Sequence, residues 1–284
     1  DPKFCQHDQY ERVGAGSGMV ACGMLFCLAA GEFDMSVGSI VACSGVTCAV
    51  AINATESITM GVLAGLGVGV LFGLVNGIVV AKFKINALIT TLATMQMARG
   101  MGYIISDGKA VGIVEESFFD IGNSAMFGIP TPVWITAVCF VIFGLLLNKT
   151  TFGRNTLSMG GNEEASRLAG VNVVRTKIII FTMTGLISAL AGIILASRMT
   201  SGQPMTSIGF ELIVISSCVL GGVSMKGGIG KISYVIAGVL ILGLMENAMN
   251  LLNISPFAQY VVRGLILLAA VLFDRYKQVR KAKV

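Results

Sequence analysis

The stretch Gly160-Gly161-Asn162-Glu163-Glu164-Ala165-Ser166-Arg167-Leu168-Ala169-Gly170 puts acidic, basic and small residues side by side in a helix-forming run bounded by glycine. Its chemistry is that of docking. Charges on an exposed face meet opposite charges on a partner, small residues allow close approach, and Gly170 can end the helix. A second constellation is Asn86, Thr90 and Thr94 at i, i+4 and i+8, with Thr91 beside them, which makes one helix face polar in an apolar run. Such hydroxyls and amides could exchange hydrogen bonds with a neutral polar solute without gripping it. Equally, the Thr hydroxyls could return to i−4 carbonyls while Asn86 caps the helix. Asn76 is a lesser candidate for the same path and reads first as a helix-to-helix hydrogen bond.

Charges inside apolar runs are the third signal. Glu246 and Arg263 lie on either side of the turn 251–256, each about 12–14 Å along its helix at ~1.5 Å per residue. Opposite charges at one depth predict a pair, the alternative being that Arg263 snorkels outward while Glu246 faces a watery path. Glu32 and Asp34 interrupt another apolar run, where they could cap a helix starting near Ser36, gate, or couple to protons. Nucleotide chemistry is excluded by spacing. In Met225-Lys226-Gly227-Gly228-Ile229-Gly230-Lys231-Ile232, Met225 stands where a phosphate loop needs its first Gly and Ile232 where it needs Ser or Thr. No His pair, activated nucleophile or metal cluster appears in the apolar runs.

The elements that carry these residues are long and apolar. Hydrophobic residues make up 55% of the chain and charged residues 12%, against about 25% charged in a soluble domain. Mean hydropathy is +0.83. The chain is therefore a polytopic membrane protein. Candidate spans are 19–30, 36–52, 58–81, 87–105, 132–147, 178–199, 212–223, 229–249 and 257–273, judged against the roughly 20 apolar residues an untilted helix needs. The run 19–52 breaks at 30–34, and 212–223 is too short, so both read as broken helices, which mark translocation paths. Gly61, Gly65, Gly69, Gly73 and Gly77 form one stripe on the helix over 58–81, predicted to pack a neighbouring helix of the same chain ahead of a second copy.

Charge sets the orientation. Lys149, Arg154, Arg167, Arg175 and Lys177 flank or lie in the polar stretch, which places it in the cytoplasm. Alternation then puts Lys82 and Lys84 inside, and Asp107, Glu115, Glu116 and Asp120 outside. The net charge of +5 resides in short loops and in the tail Arg275, Lys277, Arg280, Lys281 and Lys283, an orientation signal that argues against nucleic acid as a partner. The seven Cys lie mostly in apolar runs, among them Cys22, Cys27, Cys43 and Cys48, and read as small packing residues.

Glu164-Ala165-Ser166 followed by Gly170 resembles the E-A-A-x-x-x-G signature of bacterial ABC importer permeases, with Ser166 in place of the second Ala. The stretches TTFGRNTLSMGGNEEASRLAGV, GEFDMSVGS, NALITTLATM, SRMTSGQPMTSIG and VLGGVSMKGGIGK are similar to the sugar permeases that work with periplasmic binding proteins. The likeness runs from residue 19 to the C-terminus.

What the resemblance implies is an all-α, polytopic transmembrane bundle with broken helices in the bacterial inner membrane, paired with a second copy and surrounded by lipid. In that family the loop seats in a cleft of an ATP-binding subunit. Carried over, Arg154, Gly161, Asn162, Glu163, Glu164, Ala165 and Gly170 are the expected coupling residues in a loop 149–177. ATP is used by that partner, and this chain binds no cofactor. A periplasmic binding protein would deliver the sugar. L-arabinose is the sugar the resemblance implies, while nothing in the residues distinguishes it from ribose, xylose or galactose. The competing reading is a proton-coupled secondary sugar transporter with Glu32 and Asp34 as its acids. Residues 19–274 form the expected permease domain and 275–284 a basic cytoplasmic tail. Residues 1–18 fall outside the likeness, and we read the chain as a fragment lacking its first helix, with an upstream frame error one source of its opening residues. His7 lies there and carries no assigned role.

Overall fold

The computed structural model describes residues 2–281, with side chains described for 16–272 (256 excepted) and for Tyr276. The side chains of His7 and of Arg275, Lys277, Arg280, Lys281 and Lys283 lie outside the described residues, as do those of the other residues from 1 to 15. Among the described residues the chain is all-α apart from two short antiparallel strand pairings. It runs α1 (Pro2–Ala29), α2 (Val37–Thr55), α3 (Ile58–Lys82), α4 (Ala87–Ser106), β1 (Val111–Gly112), α5 (Asp120–Asn123), β2 (Ala125–Met126), β3 (Ile129–Pro130), α6 (Thr131–Lys149), α7 (Thr151–Gly161), α8 (Glu163–Leu168), α9 (Val173–Met199), β4 (Ser201–Gly202), α10 (Phe210–Gly221), α11 (Ile232–Leu251) and α12 (Pro256–Lys281).

Local chemistry sets the helix boundaries. Asn86 and Asn172 start α4 and α9 by accepting hydrogen bonds from the first-turn amides of Leu88 and Arg175, which satisfies donors that the helix itself leaves unpaired. Pro132 occupies the first turn of α6, where its missing N–H leaves no bond unmade. α10 ends at Gly222, whose φ of 110° is open to glycine.

Helix α9 is the centre of the bundle and packs on α3, α2 and α1. The glycine stripe of α3 makes that contact possible. A Cβ at Gly73 would stand 2.6 Å from the Phe181 carbonyl oxygen, and one at Gly77 2.8 Å from the Ile178 Cα. Gly69 and Gly185 press on each other across the same seam. Towards the start of α3 the stripe turns onto α2, where Gly61 faces Ile52 and Cys48. The stripe thus serves packing within the chain, and close backbone approach replaces the hydrophobic drive that lipid does not provide. Cys22, Cys27, Cys43, Cys48, Cys139 and Cys218 are free thiols and buried.

Helices α2, α3, α6, α9 and α11 are long and apolar enough to cross a bilayer. The predicted breaks fall between α1 and α2, over residues 30–36, and before α10, whose 12 residues span about 18 Å of a hydrocarbon layer of about 30 Å. The chain covers the remaining depth without helix. From β4 it descends along α2: Gly202 lies against Val46, and Gly38, near the start of α2, faces the Ser207 carbonyl oxygen. Carbonyls in such a segment have no ladder to join. Arg99 of α4 supplies donors, its Nη1 lying 2.7 Å from both the Pro204 and Thr206 oxygens, so freed backbone groups are satisfied inside the protein.

The two ends of the bundle differ. At one, β1 pairs antiparallel with β4, tying the acidic loop after α4 to the end of α9. At the other, the end of α1, the α7–α8 hairpin and the turn before α11 come together.

Candidate coupling surface

The polar stretch folds as a helical hairpin. Thr150 caps α7 by accepting from the Gly153 amide at 3.2 Å, and Asn162 caps α8 by accepting from Ala165 at 2.9 Å. Helix α8 stops at Gly170, whose φ is 90°. There the Val171 amide reaches back to the Ser166 carbonyl at 3.0 Å, the six-to-one bond of a helix end that needs a left-handed residue. Acidic Glu163 and Glu164 open the helix and Arg167 closes it, which suits the helix dipole.

Within the hairpin the exposed and buried sets are distinct. Arg154, Gly161, Asn162, Glu163, Glu164, Ala165 and Gly170 are all exposed. Leu168 stands at the tip, 82% exposed. Ser166 is buried at 3%, and its hydroxyl lies 2.7 Å from that of Ser158 on α7. That hydrogen bond clamps α7 to α8, and it gives a physical role to the hydroxyl that departs from the E-A-A pattern. Glu164 and Arg167 pair at 3.4 Å with both side chains exposed, a contact of small energy. Their charges remain available to a partner.

Below the hairpin the backbone is seated directly on the bundle. Gly160 has room for no side chain, because a Cβ there would run into the Ala29 carbonyl. That same carbonyl accepts the Gly228 amide at 2.9 Å. The glycine-rich stretch that fails as a phosphate loop is therefore a turn, with positive φ at Gly227 and Gly228, wedged beneath α7. Sequence reasoning assigned it no structural role. Its paired glycines signalled a tight turn but not what it would touch.

The other predicted residues are placed as follows. Asn86 caps α4 through Leu88 and Ile89. Thr90 donates to the Asn86 carbonyl at 3.0 Å and Thr91 to Ala87 at 2.8 Å, while Thr91 also accepts from the Met35 amide at 3.1 Å. Thr94 donates to Asn76 Oδ1 at 2.7 Å, and Asn76 Nδ2 donates to Ser36 Oγ at 2.9 Å. Thr90, Thr91 and Thr94 are buried. This polar face is turned into the bundle, where it ties α4 and α3 to the break before α2. Asp34 holds Ser36 through both its amide and its hydroxyl, so the acid positions the capping residue without itself being the cap. Glu246 and Arg263 are brought together, Arg263 Nη2 lying 2.9 Å from Glu246 Oε1.

An exposed capped hairpin between spans, backed by broken helices, is the arrangement the sequence pattern requires. The family model for the branched-chain amino acid transport system / permease component matches residues 12–271. The chain belongs to this family. As one of its permeases it is a multi-pass inner-membrane transport component and not an enzyme. The relatives are similarly consistent. It is 77% identical over 268 residues to the L-arabinose transport system permease protein AraH of Escherichia coli strain K12, covering 94% of this chain and 82% of that protein. It is 53% identical over 261 residues to the L-arabinose ABC transporter permease protein AraH of Azospirillum brasilense, covering 92% and 77%. It is 41% identical over 263 residues to the ribose import permease protein RbsC of Bacillus subtilis strain 168, covering 92% and 82%. No solved structure matches this permease.

Proposed function

We propose that this permease is the membrane-spanning subunit of an ATP-driven, binding-protein-dependent importer of L-arabinose. The observation that carries the reading is the rigid, outward-facing α7–α8 hairpin, whose exposed acidic and small residues match the coupling signature. The sugar is supported by the 77% identity to a permease named for L-arabinose, against 41% for one named for ribose. ATP hydrolysis belongs to a separate subunit docked on the hairpin, and this chain binds no cofactor. A periplasmic binding protein delivers the sugar to the opposite end, and two copies of the chain form the pore-bearing unit within the lipid. Nucleic acid has no place in the assembly. The hairpin faces the cytoplasm by the positive-inside argument.

Alternating access follows from these parts. Shifting such an equilibrium from 1:99 to 99:1 takes about 5.5 kcal/mol of differential binding, so the contact that transmits the shift must be stiff. The Gly160 seat provides that stiffness, and the Ser158–Ser166 bond only trims the hairpin's internal freedom. For the sugar path, the hydroxyls of Thr90, Thr91 and Thr94 are already engaged, so we place the path beside the open cleft that includes Thr206 and Ser207 next to the broken α10.

The test is uptake of labelled L-arabinose into proteoliposomes holding this chain, its ATP-binding subunit and its binding protein. Uptake that requires internal-face ATP and favours L-arabinose over ribose supports the reading. Uptake driven by a proton gradient without ATP contradicts it and restores the secondary-transporter alternative.

A further inference from the structure

The buried amine of Lys177 is held by two carboxylates from two different parts of the chain. Its Nζ lies 2.6 Å from Glu32 Oε1 and 2.8 Å from Glu163 Oε2. Lys177 belongs to the cytoplasmic-end turns of α9, Glu32 to the break between α1 and α2, and Glu163 is the first residue of α8. Lys177 is 8% exposed. A cation at that depth is held by its partners, and removing them leaves a charge stranded away from water.

We propose that Lys177 is the positioning residue through which the α7–α8 hairpin moves the break between α1 and α2 during transport. The proposal rests on the importer reading above and adds the route by which the hairpin acts. Besides the stacking of Phe152 on Phe26 and the burial of Met159 in the core, two contacts of opposite mechanical character join hairpin to bundle. At Gly160, Ala29 and Gly228 the backbones are pressed together, a contact that resists compression steeply but yields readily to separation, because dispersion attraction per atom pair is small. Charge-assisted hydrogen bonds resist being pulled apart as well. Alternating access drives the hairpin both ways in every cycle. The glycine seat therefore pushes and the Lys177 hub pulls.

What the hub pulls on is a hinge already attached to the bundle. Beyond Glu32 the break carries Asp34 and Ser36, and Ser36 is joined through Asn76 to Thr94. A displacement of Glu32 is thus handed to the starts of α2 and α4 and to the end of α3. Glu163 is the exchangeable arm, its side chain 56% exposed, whereas that of Glu32 is only 17% exposed.

The test uses the complete importer in proteoliposomes, with L-arabinose uptake and ATP hydrolysis measured on the same vesicles. Lys177→Gln should keep ATP hydrolysis while sugar moved per ATP falls at least about fivefold, the low end of a typical coupling energy. Lys177→Arg, which can still bridge two carboxylates, should restore most of the ratio. A Lys177→Gln importer with the wild-type ratio overturns the proposal, as does a proportional fall in both activities that Arg does not rescue. Should Lys177→Gln fail to assemble, Glu32→Gln decides, since it leaves Lys177 paired with Glu163: a lowered ratio supports the hub and an unchanged ratio overturns it. Wild-type vesicles that show no ATP-dependent uptake would instead overturn the importer reading, before any variant is compared.

Discussion

Arg263 Nη2 on α12 donates to Glu246 Oε1 on α11 at 2.9 Å, across the turn that joins the last two helices. Arg263 also lies over the Tyr260 ring, 5.7 Å from its centre, so its cation is shared between a carboxylate and an aromatic face. If the pair holds α11 to α12, Glu246→Gln and Arg263→Gln should each lower the folded yield in detergent. The double variant should recover part of the loss, with an interaction energy of about 0.5–3 kcal/mol. Additive losses would mean that each charge serves something else.

Adjacent glycines in the hairpin should behave differently. Gly160→Ala drives a methyl into the Ala29 carbonyl, whereas nothing lies within 4 Å of a Cβ at Gly161. Overpacking of this kind destabilises by about 1–3 kcal/mol. Thermal unfolding of the purified permease should therefore start lower for Gly160→Ala and remain near wild type for Gly161→Ala. Equal behaviour would remove the seat from the account.

Ser166→Ala restores the alanine that the coupling signature carries and deletes the hydroxyl bonded to Ser158. Ser158 is exposed, so water can replace the lost partner and the expected loss is about 0.5–1.5 kcal/mol. Uptake should be retained. A large loss of uptake with unchanged stability would show that Ser166 has a direct part in coupling.

Much of this was legible in the chain. Apolar runs of bilayer length marked the helices, and Glu32 with Asp34 marked the break because charge and a helix-ending glycine interrupt such a run. The short helix of the polar stretch was readable because its stop at Gly170 is a local signal, whereas the preceding helix Thr151–Gly161 and the cap at Asn162 emerged only in the fold. The direction of a polar face was not. Asn86, Thr90, Thr91 and Thr94 share a face by spacing alone, but whether that face meets a path or a neighbouring helix depends on how α4 is rotated against α3. Long-range partners were equally hidden. Lys177 reads as one more cytoplasmic-side base until the fold sets it between Glu32 and Glu163, and nothing in Gly227-Gly228 names Ala29.

Sidedness can be read with single cysteines in a Cys-free background. Leu168 and Ser117 are both exposed, while the buried Ser166 would be a poor reporter. An impermeant thiol reagent should reach Leu168→Cys from the cytoplasmic face and Ser117→Cys from the periplasmic face. Labelling of both from one face would overturn the orientation taken from the basic loops.

If ATP hydrolysis is coupled to the permease at α8, as proposed above, Glu164 is the residue whose change tests the contact with least disturbance. Its only described ion pair is the exposed one with Arg167, so Glu164→Lys should insert and assemble as wild type does. The deciding measurement is ATP hydrolysis by the assembled importer, with and without sugar-loaded binding protein. We expect Glu164→Lys to lose the stimulated hydrolysis together with uptake; normal stimulation and normal uptake in that variant would contradict the account.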